Sequence, residues 1–314
     1  MKTPPKGFRW TVSEQIRYDV RILNTVSKEA SCRLCGHDKA EILQSGVRQG
    51  PTVKVLRCRS CGLVRLDPIP SEAELDRFYR DVYRTEYDPG VGAEENHKNH
   101  LSEARSRVAR LEPLLGRSKT VLEIGSGACA FLTAVGPLVK EACGIEPTDE
   151  YRAWAAKQGL QVFPKLADVD GRRFDLIALF HVLEHVREPL GFLKSLLARL
   201  NPGGRLIIEV PNVDDALISL YQVPAYAPFY YQSAHLWYFS AATLERAVTA
   251  AGAKARITGI QRYDLSNHMR WMLTGKPGGL GFYAKAFPPS LEEGYARALI
   301  DAGSSDTLWA VVEP

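Results

Sequence analysis

Four residues of strand character, Val121-Leu122-Glu123-Ile124, run into Gly125-Ser126-Gly127, and an apolar helical pattern follows from residue 128 to about 138. A strand, a glycine turn and a helix in that order bring backbone N–H groups and the positive end of a helix against a ligand. Gly125 can adopt angles closed to other residues, and Gly127 lets backbone and ligand approach closely. The same rhythm continues downstream. Strands are expected at 142–145, 161–163, 174–180 and 205–210, with helices at 150–158 and 189–200 and a turn at Asn201-Pro202-Gly203-Gly204. Such alternation builds a parallel sheet covered on both faces, whose ligands bind at the carboxyl ends of the strands. Glu123, Glu146, Asp168, Phe180-His181 and Pro211-Asn212 therefore converge on one crevice. The fold class is α/β, doubly wound and Rossmann-like.

Two ligands compete for that crevice. Gly125-x-Gly127-x-x-Ala130 satisfies the loose dinucleotide pattern, which by itself is a weak signal. Glu146 lies 21 residues after Gly125, where a carboxylate can accept both ribose hydroxyls of either cofactor. Glu123 separates the two readings. A carboxylate at the strand end suits a cationic partner, and S-adenosylmethionine carries an ammonium beside its sulfonium. NAD, as in a dehydrogenase, is the other reading.

Cysteine spacing adds a second chemistry. Cys32, Cys35, Cys58 and Cys61 form C-x2-C-x22-C-x2-C, with a glycine after each pair. Two such knuckles can set four thiolates around one structural Zn2+, while the glycines allow turns that aim N–H groups at sulfur. The start of the chain shows no export signal, so the cytoplasm is expected, where cysteines hold metal more often than disulfides. No stretch is apolar enough to span a membrane. The net charge of +4, with Lys and Arg spread along 314 residues, argues against nucleic acid as partner.

The expected organisation is an N-terminal extension (1–30), a zinc-binding module (31–70), a helical linker (71–99) and a catalytic domain (100–314). Ser71 with Glu74 forms a capping box, so a helix should begin at Glu72. Another, with its apolar stripe from Leu101 to Leu115, should begin near His100. Two insertions, at about 212–240 and 261–300, are expected to act as lids over the substrate.

Taken as a set, Val121–Gly127, Gly144-Ile145-Glu146-Pro147, Phe174-Asp175-Leu176-Ile177, His181-Val182-Leu183-Glu184-His185-Val186, Leu200–Gly204 and Val210-Pro211-Asn212 resemble class I SAM-dependent methyltransferases. The resemblance implies a seven-stranded sheet ending in an antiparallel pair, supplied by 255–260 and 307–312. It implies that Glu123, Gly125, Ser126 and Gly127 hold the methionine end of the donor. Glu146 and Pro147 would hold the ribose, Asp168 would lie near the adenine amine, and Phe180 and His181 would flank the methyl group.

A narrower resemblance is to NDP-sugar C-methyltransferases, which share the double CxxC and a Tyr-His-Glu-His-Leu-Ser-Tyr-Phe-Ser stretch. This chain reads Gln232-Ser233-Ala234-His235-Leu236-Trp237-Tyr238-Phe239-Ser240, so Gln and Ala replace the expected tyrosine and glutamate. Carbon methylation needs a base for a C–H proton. Their loss shifts the expectation to a hydroxyl on a sugar, nucleotide sugar or glycan-like acceptor. Sugar C-methylation and methylation of RNA by a zinc-ribbon enzyme are the alternatives. Histidine suits a hydroxyl acceptor, making His181 and His235 the candidate bases. His185, Tyr231, Arg262, Asn267 and His268 are the candidate substrate contacts.

Overall fold

The computed structural model describes residues 31–81 and 90–314, so the N-terminal extension lies outside the described residues. Three antiparallel strands come first: β1 (Ala40–Val47), β2 (Gly50–Cys58) and β3 (Val64–Asp67). A helix spans Glu72–Asp81. It starts on the expected capping box: Ser71 N–H donates to Glu74 at 2.7 Å, and Glu74 N–H to the Ser71 hydroxyl at 3.4 Å.

The main sheet holds β4 (Thr120–Ile124), β5 (Glu141–Ile145), β6 (Gln161–Phe163), β7 (Phe174–Phe180) and β8 (Leu200–Pro211), mutually parallel. Burial on both faces explains their unbroken apolar runs. After β8 a two-residue strand, β9 (Trp237–Tyr238), leaves the main sheet and pairs with β3. The main sheet is completed by β10 (Lys254–Ile260) and β11 (Thr307–Glu313), giving the order β10-β11-β8-β7-β4-β5-β6 with β11 antiparallel to both neighbours. Seven strands in a doubly wound sheet ending in an antiparallel pair agree with the sequence reading.

Two boundaries differ from expectation. β8 begins at Leu200, not Arg205: Phe174 pairs with Leu200 and Leu176 with Arg205, so the four residues between are accommodated as one irregularity inside the strand. The helix Ala93–Leu111 begins before His100, because its first turns are polar on most sides and bury only Ala93 and Asn96.

The cysteine-bearing region is not a separate bead. One apolar cluster runs from Cys32 and Cys58 through Val55 and Leu66 to Trp237 and Tyr238, then on to Leu206 and Ile177 of the main sheet. β9 is the join. Trp237 is 1% exposed and its indole N–H donates to the Val186 carbonyl at 2.8 Å. Trp237→Phe should cost about 1–2 kcal/mol by leaving that carbonyl unpaired and a gap beside it; urea unfolding would measure the loss.

Candidate active site

At the end of β4 the chain bends back on β5. The N–H groups of Gly125 and Ser126 both donate to the Ile145 carbonyl, at 2.8 and 3.0 Å. Gly125 has φ +70°, and a Cβ there would sit 2.6 Å from the Val182 side chain. Gly127 has φ +48° with open space around it. The turn forms one wall of a cleft of about 1170 Å³, also lined by Glu123, Glu146, Pro147, Phe180 and His181.

The two acidic residues are held differently. Glu123 is 5% exposed, and its Oε2 has no hydrogen-bond partner. Burial raises its carboxyl well above the usual carboxylate range, with Arg107 opposing. Glu146 accepts the Gly127 N–H at 2.9 Å on one oxygen and the Thr148 N–H at 2.8 Å on the other. Each oxygen keeps a lone pair for an incoming hydroxyl.

Across the cleft lies a chain of charges. Arg107 grips Glu209 through two hydrogen bonds of 2.8 and 2.9 Å, and its guanidinium lies 4.4 Å from the Phe180 ring centre. Burial would raise Glu209, but the hydrogen bonds from Arg107 and His181 hold it well below the usual range. Arg262 reaches Glu103 at 2.6 Å. His181 joins the two halves: its Nε2 lies 3.0 Å from Glu209 Oε1 and 2.7 Å from Arg262 Nη1. A single ring nitrogen cannot serve both. Charged, His181 donates to Glu209; neutral, with its proton on Nδ1, it accepts from Arg262. Burial disfavours the charged form, yet the Glu184 and Glu209 carboxylates outweigh it and raise the pKa. His181 sits at φ +55°, a conformation β-strand ends rarely force on a non-glycine residue.

The remaining candidates divide. His185 and Arg262 line the cleft, and His185 donates Nδ1–H to the Ala234 carbonyl at 2.8 Å. Asp168 is exposed and accepts from Lys165 N–H at 3.1 Å, capping its own turn outside the cleft wall. Tyr231, 4% exposed, packs edge-on against Tyr238 at 4.9 Å beneath the small sheet. His235 sits behind His185, their ring centres 4.8 Å apart. Tyr231, Trp237, Tyr238 and Phe239 thus pack in the core shared by the two sheets, while Leu217, Val223 and Tyr226 pack against Trp271 of the helix Leu265–Thr274.

Asn267 and His268 are buried in the helix Leu265–Thr274, and His268 Nδ1 lies 2.5 Å from the Tyr295 hydroxyl. Burial lowers the His268 pKa to about 4. The unfolded chain then binds the extra proton between about pH 6.5 and 4, so stability should fall as pH drops through that window. Acid-range melting curves of wild type and His268→Gln should converge at low pH.

Arg107, Glu103 and Glu209 escaped sequence reading. Arg107 and Glu209 meet across 102 positions of chain, beyond any local pattern. The one available signal was a carboxylate inside the otherwise apolar run Leu206–Val210.

The four cysteines do meet. Cys32 and Cys61 sulfurs lie 3.5 Å apart, Cys35 and Cys58 3.6 Å, and all four within 4.8 Å of one another. Tetrahedral zinc with Zn–S near 2.3 Å requires sulfurs roughly 3.8 Å apart. Gly36 and Gly62 take φ of +73° and +82°, closing the two knuckles. The N–H groups of Leu34 and Cys35 point at Cys32 sulfur, and those of Ser60 and Cys61 at Cys58 sulfur.

With this geometry established, comparison with known proteins decides the family. The family described as a methyltransferase domain matches residues 96–256, just over half of the chain. The chain belongs to this methyltransferase-domain family. The match spans the helix before β4, the glycine turn, and every parallel strand. A tRNA U34 carboxymethyltransferase from Pseudoalteromonas translucida (strain TAC 125) is 33% identical over 117 residues, 32% of this chain and 34% of that protein. A ubiquinone biosynthesis O-methyltransferase from Methylobacterium sp. (strain 4-46) is 27% identical over 177 residues, 51% of this chain and 68% of that one. The first curated relatives are matched over less than half of their length. Among solved structures, a SAM dependent methyltransferase from Archaeoglobus fulgidus superposes with a TM-score of 0.48 at 15% identity, covering 70% of this chain and 97% of that one. Among the described residues no helix is long and apolar enough to cross a membrane.

Proposed function

We propose that this methyltransferase-domain protein transfers a methyl group from S-adenosylmethionine to a hydroxyl of a small polar acceptor, a sugar, nucleotide sugar or glycan-like molecule. The observation that carries the donor is the unpartnered, buried Glu123 Oε2 in the same cleft wall as Glu146 and the open Gly127 turn. These residues fit the group: Glu123 would hold its ammonium, Glu146 its ribose hydroxyls, and the Gly127 backbone would let it lie close. Bound there, the donor supplies a methyl group activated by a sulfonium. The chain's task is to position the acceptor and take its proton.

His181 suits that task. In the neutral ring its Nε2 accepts from Arg262. A proton received from an acceptor hydroxyl at that nitrogen would be stabilised by Glu209, 3.0 Å away. Gln232 and Ala234 stand where sugar C-methyltransferases carry tyrosine and glutamate, and neither an amide nor a methyl group can take up a C–H proton. That favours a hydroxyl over a carbon acceptor. We propose further that Cys32, Cys35, Cys58 and Cys61 hold a structural zinc ion, because their sulfur spacing matches a tetrahedral site.

The test is methyl incorporation from isotopically labelled donor into nucleotide sugars, simple glycosides and total tRNA. Label on a sugar oxygen supports the reading. Label on tRNA alone, the class modified by one of the relatives, overturns the acceptor assignment.

A further inference from the structure

We propose that the segment from Leu265 to Leu291, between β10 and β11, docks this protein onto an anionic lipid surface. Six of the ten large apolar side chains exposed among the described residues fall within residues 263–291: Tyr263, Met272, Leu273, Leu280, Phe282 and Leu291. Single exposed apolar residues are scattered over any surface, but a concentration of them marks an interaction site. Leu273 is 70% exposed, Phe282 66% and Leu280 62%. The charge of the segment has one sign. No Asp or Glu stands between Asp264 and Glu292, while Arg270, Lys276 and Lys285 all lie there.

The apolar side chains form one fixed surface. Ser266, Arg270 and Leu273 succeed one another along one face of the helix Leu265–Thr274. The chain then turns at Gly275, φ +63°, and comes back over that face. At Gly279 it packs so closely that a Cβ would lie 2.7 Å from the Arg270 side chain and 2.8 Å from the Ser266 carbonyl oxygen. Arg270 Nε donates to the Pro277 carbonyl at 2.8 Å, and Tyr283 N–H to the Ser266 hydroxyl at 3.0 Å. Asp264 accepts the N–H groups of Asn267 and Gly281, at 2.8 and 2.7 Å, so the acid at the edge of the segment is turned onto backbone. Leu280 and Phe282 thus continue the surface that Leu273 begins, and a pinned backbone holds them out in solvent.

Charge and side-chain chemistry select the occupant. A second copy docked by the same patch in a two-fold dimer would set Arg270, Lys276 and Lys285 against their own equivalents, with no acid in the segment to neutralise them. Nucleic acid would meet the cations, but Leu273 and Leu280 offer no ring on which a base could stack. An anionic bilayer satisfies both features: Leu273, Leu280 and Phe282 enter the acyl boundary while Lys276 and Lys285 meet the headgroup charge. Ile260 at the end of β10 pairs with Thr307, and Thr307 with Pro211 at the end of β8. The segment therefore leaves the sheet at the edge where the cleft opens, and Arg262, two residues past β10, lines that cleft.

The test is co-sedimentation of the full chain with sucrose-loaded vesicles. Vesicles of phosphatidylcholine containing about one-third phosphatidylglycerol should bind it at least tenfold more tightly than phosphatidylcholine alone, and added salt should weaken that binding. Leu280→Ser with Phe282→Ser should cut binding at least tenfold. Lys276→Glu with Lys285→Glu should abolish the preference for anionic lipid. All four side chains are exposed, so both variants should keep the wild-type melting temperature, which reports that they have folded. No sedimentation with either vesicle, or binding that both variants retain, overturns the site. So does a wild-type dimer in sedimentation velocity that Leu280→Ser with Phe282→Ser converts to monomer, which would make a second copy the occupant. None of these outcomes depends on S-adenosylhomocysteine binding, so lipid docking and the methyl-transfer reading fail separately.

Discussion

Glu123→Gln should weaken S-adenosylhomocysteine binding at least a hundredfold, about 3 kcal/mol, in a calorimetric titration. The substitution keeps shape and volume and removes the charge that meets the ligand's ammonium. Proton linkage gives the same pairing a second signature. Burial raises the Glu123 carboxyl in the free protein, so binding a cation there must drive off a proton. Affinity should therefore rise with pH in wild type, and the observed enthalpy should vary with the buffer's ionisation enthalpy. Both dependences should vanish in Glu123→Gln. Unchanged affinity in the variant would place the ammonium elsewhere.

Removing the zinc ion proposed for the four cysteines should have the largest effect on stability. In peptide-sized units a structural zinc contributes on the order of 10 kcal/mol of folding free energy. Here the cluster shares its apolar core with the main sheet through β9, so the loss should reach the whole chain. Cys58→Ser with Cys61→Ser, or a strong chelator, should lower the melting temperature of the entire protein in one cooperative step and release one zinc per chain. A melt unchanged by the chelator, with no zinc released, would show that the four cysteines hold no structural ion.

Much of this was legible in the residues, and physics says why. β4, β5, β7 and β8 are buried on both faces, so they read as apolar runs broken by glycine and proline. Their carboxyl ends then name Glu123, Glu146, Phe180 and His181 without any contact being known. The cysteine cluster was legible because its ligands come in two tight local turns. Other features were hidden for the opposite reason. Tyr231, Trp237 and Tyr238 carry the same composition whether aromatic rings stack on a sugar or fill a core, and here they fill the seam between two sheets. Asn267 and His268 looked like polar loop residues, but Asp264 caps a helix that buries both. The ladder of Glu103, Arg262, His181, Glu209 and Arg107 draws on four separate segments of chain. Only folding brings it together.

The proposed function stands on Glu123 and the glycine bend selecting a positively charged methyl donor. The most direct measurement is a calorimetric titration of the full chain with S-adenosylhomocysteine and, separately, with NAD. One S-adenosylhomocysteine per chain should bind, equally well in the presence of excess NAD. Saturable NAD binding with no heat from S-adenosylhomocysteine would contradict it.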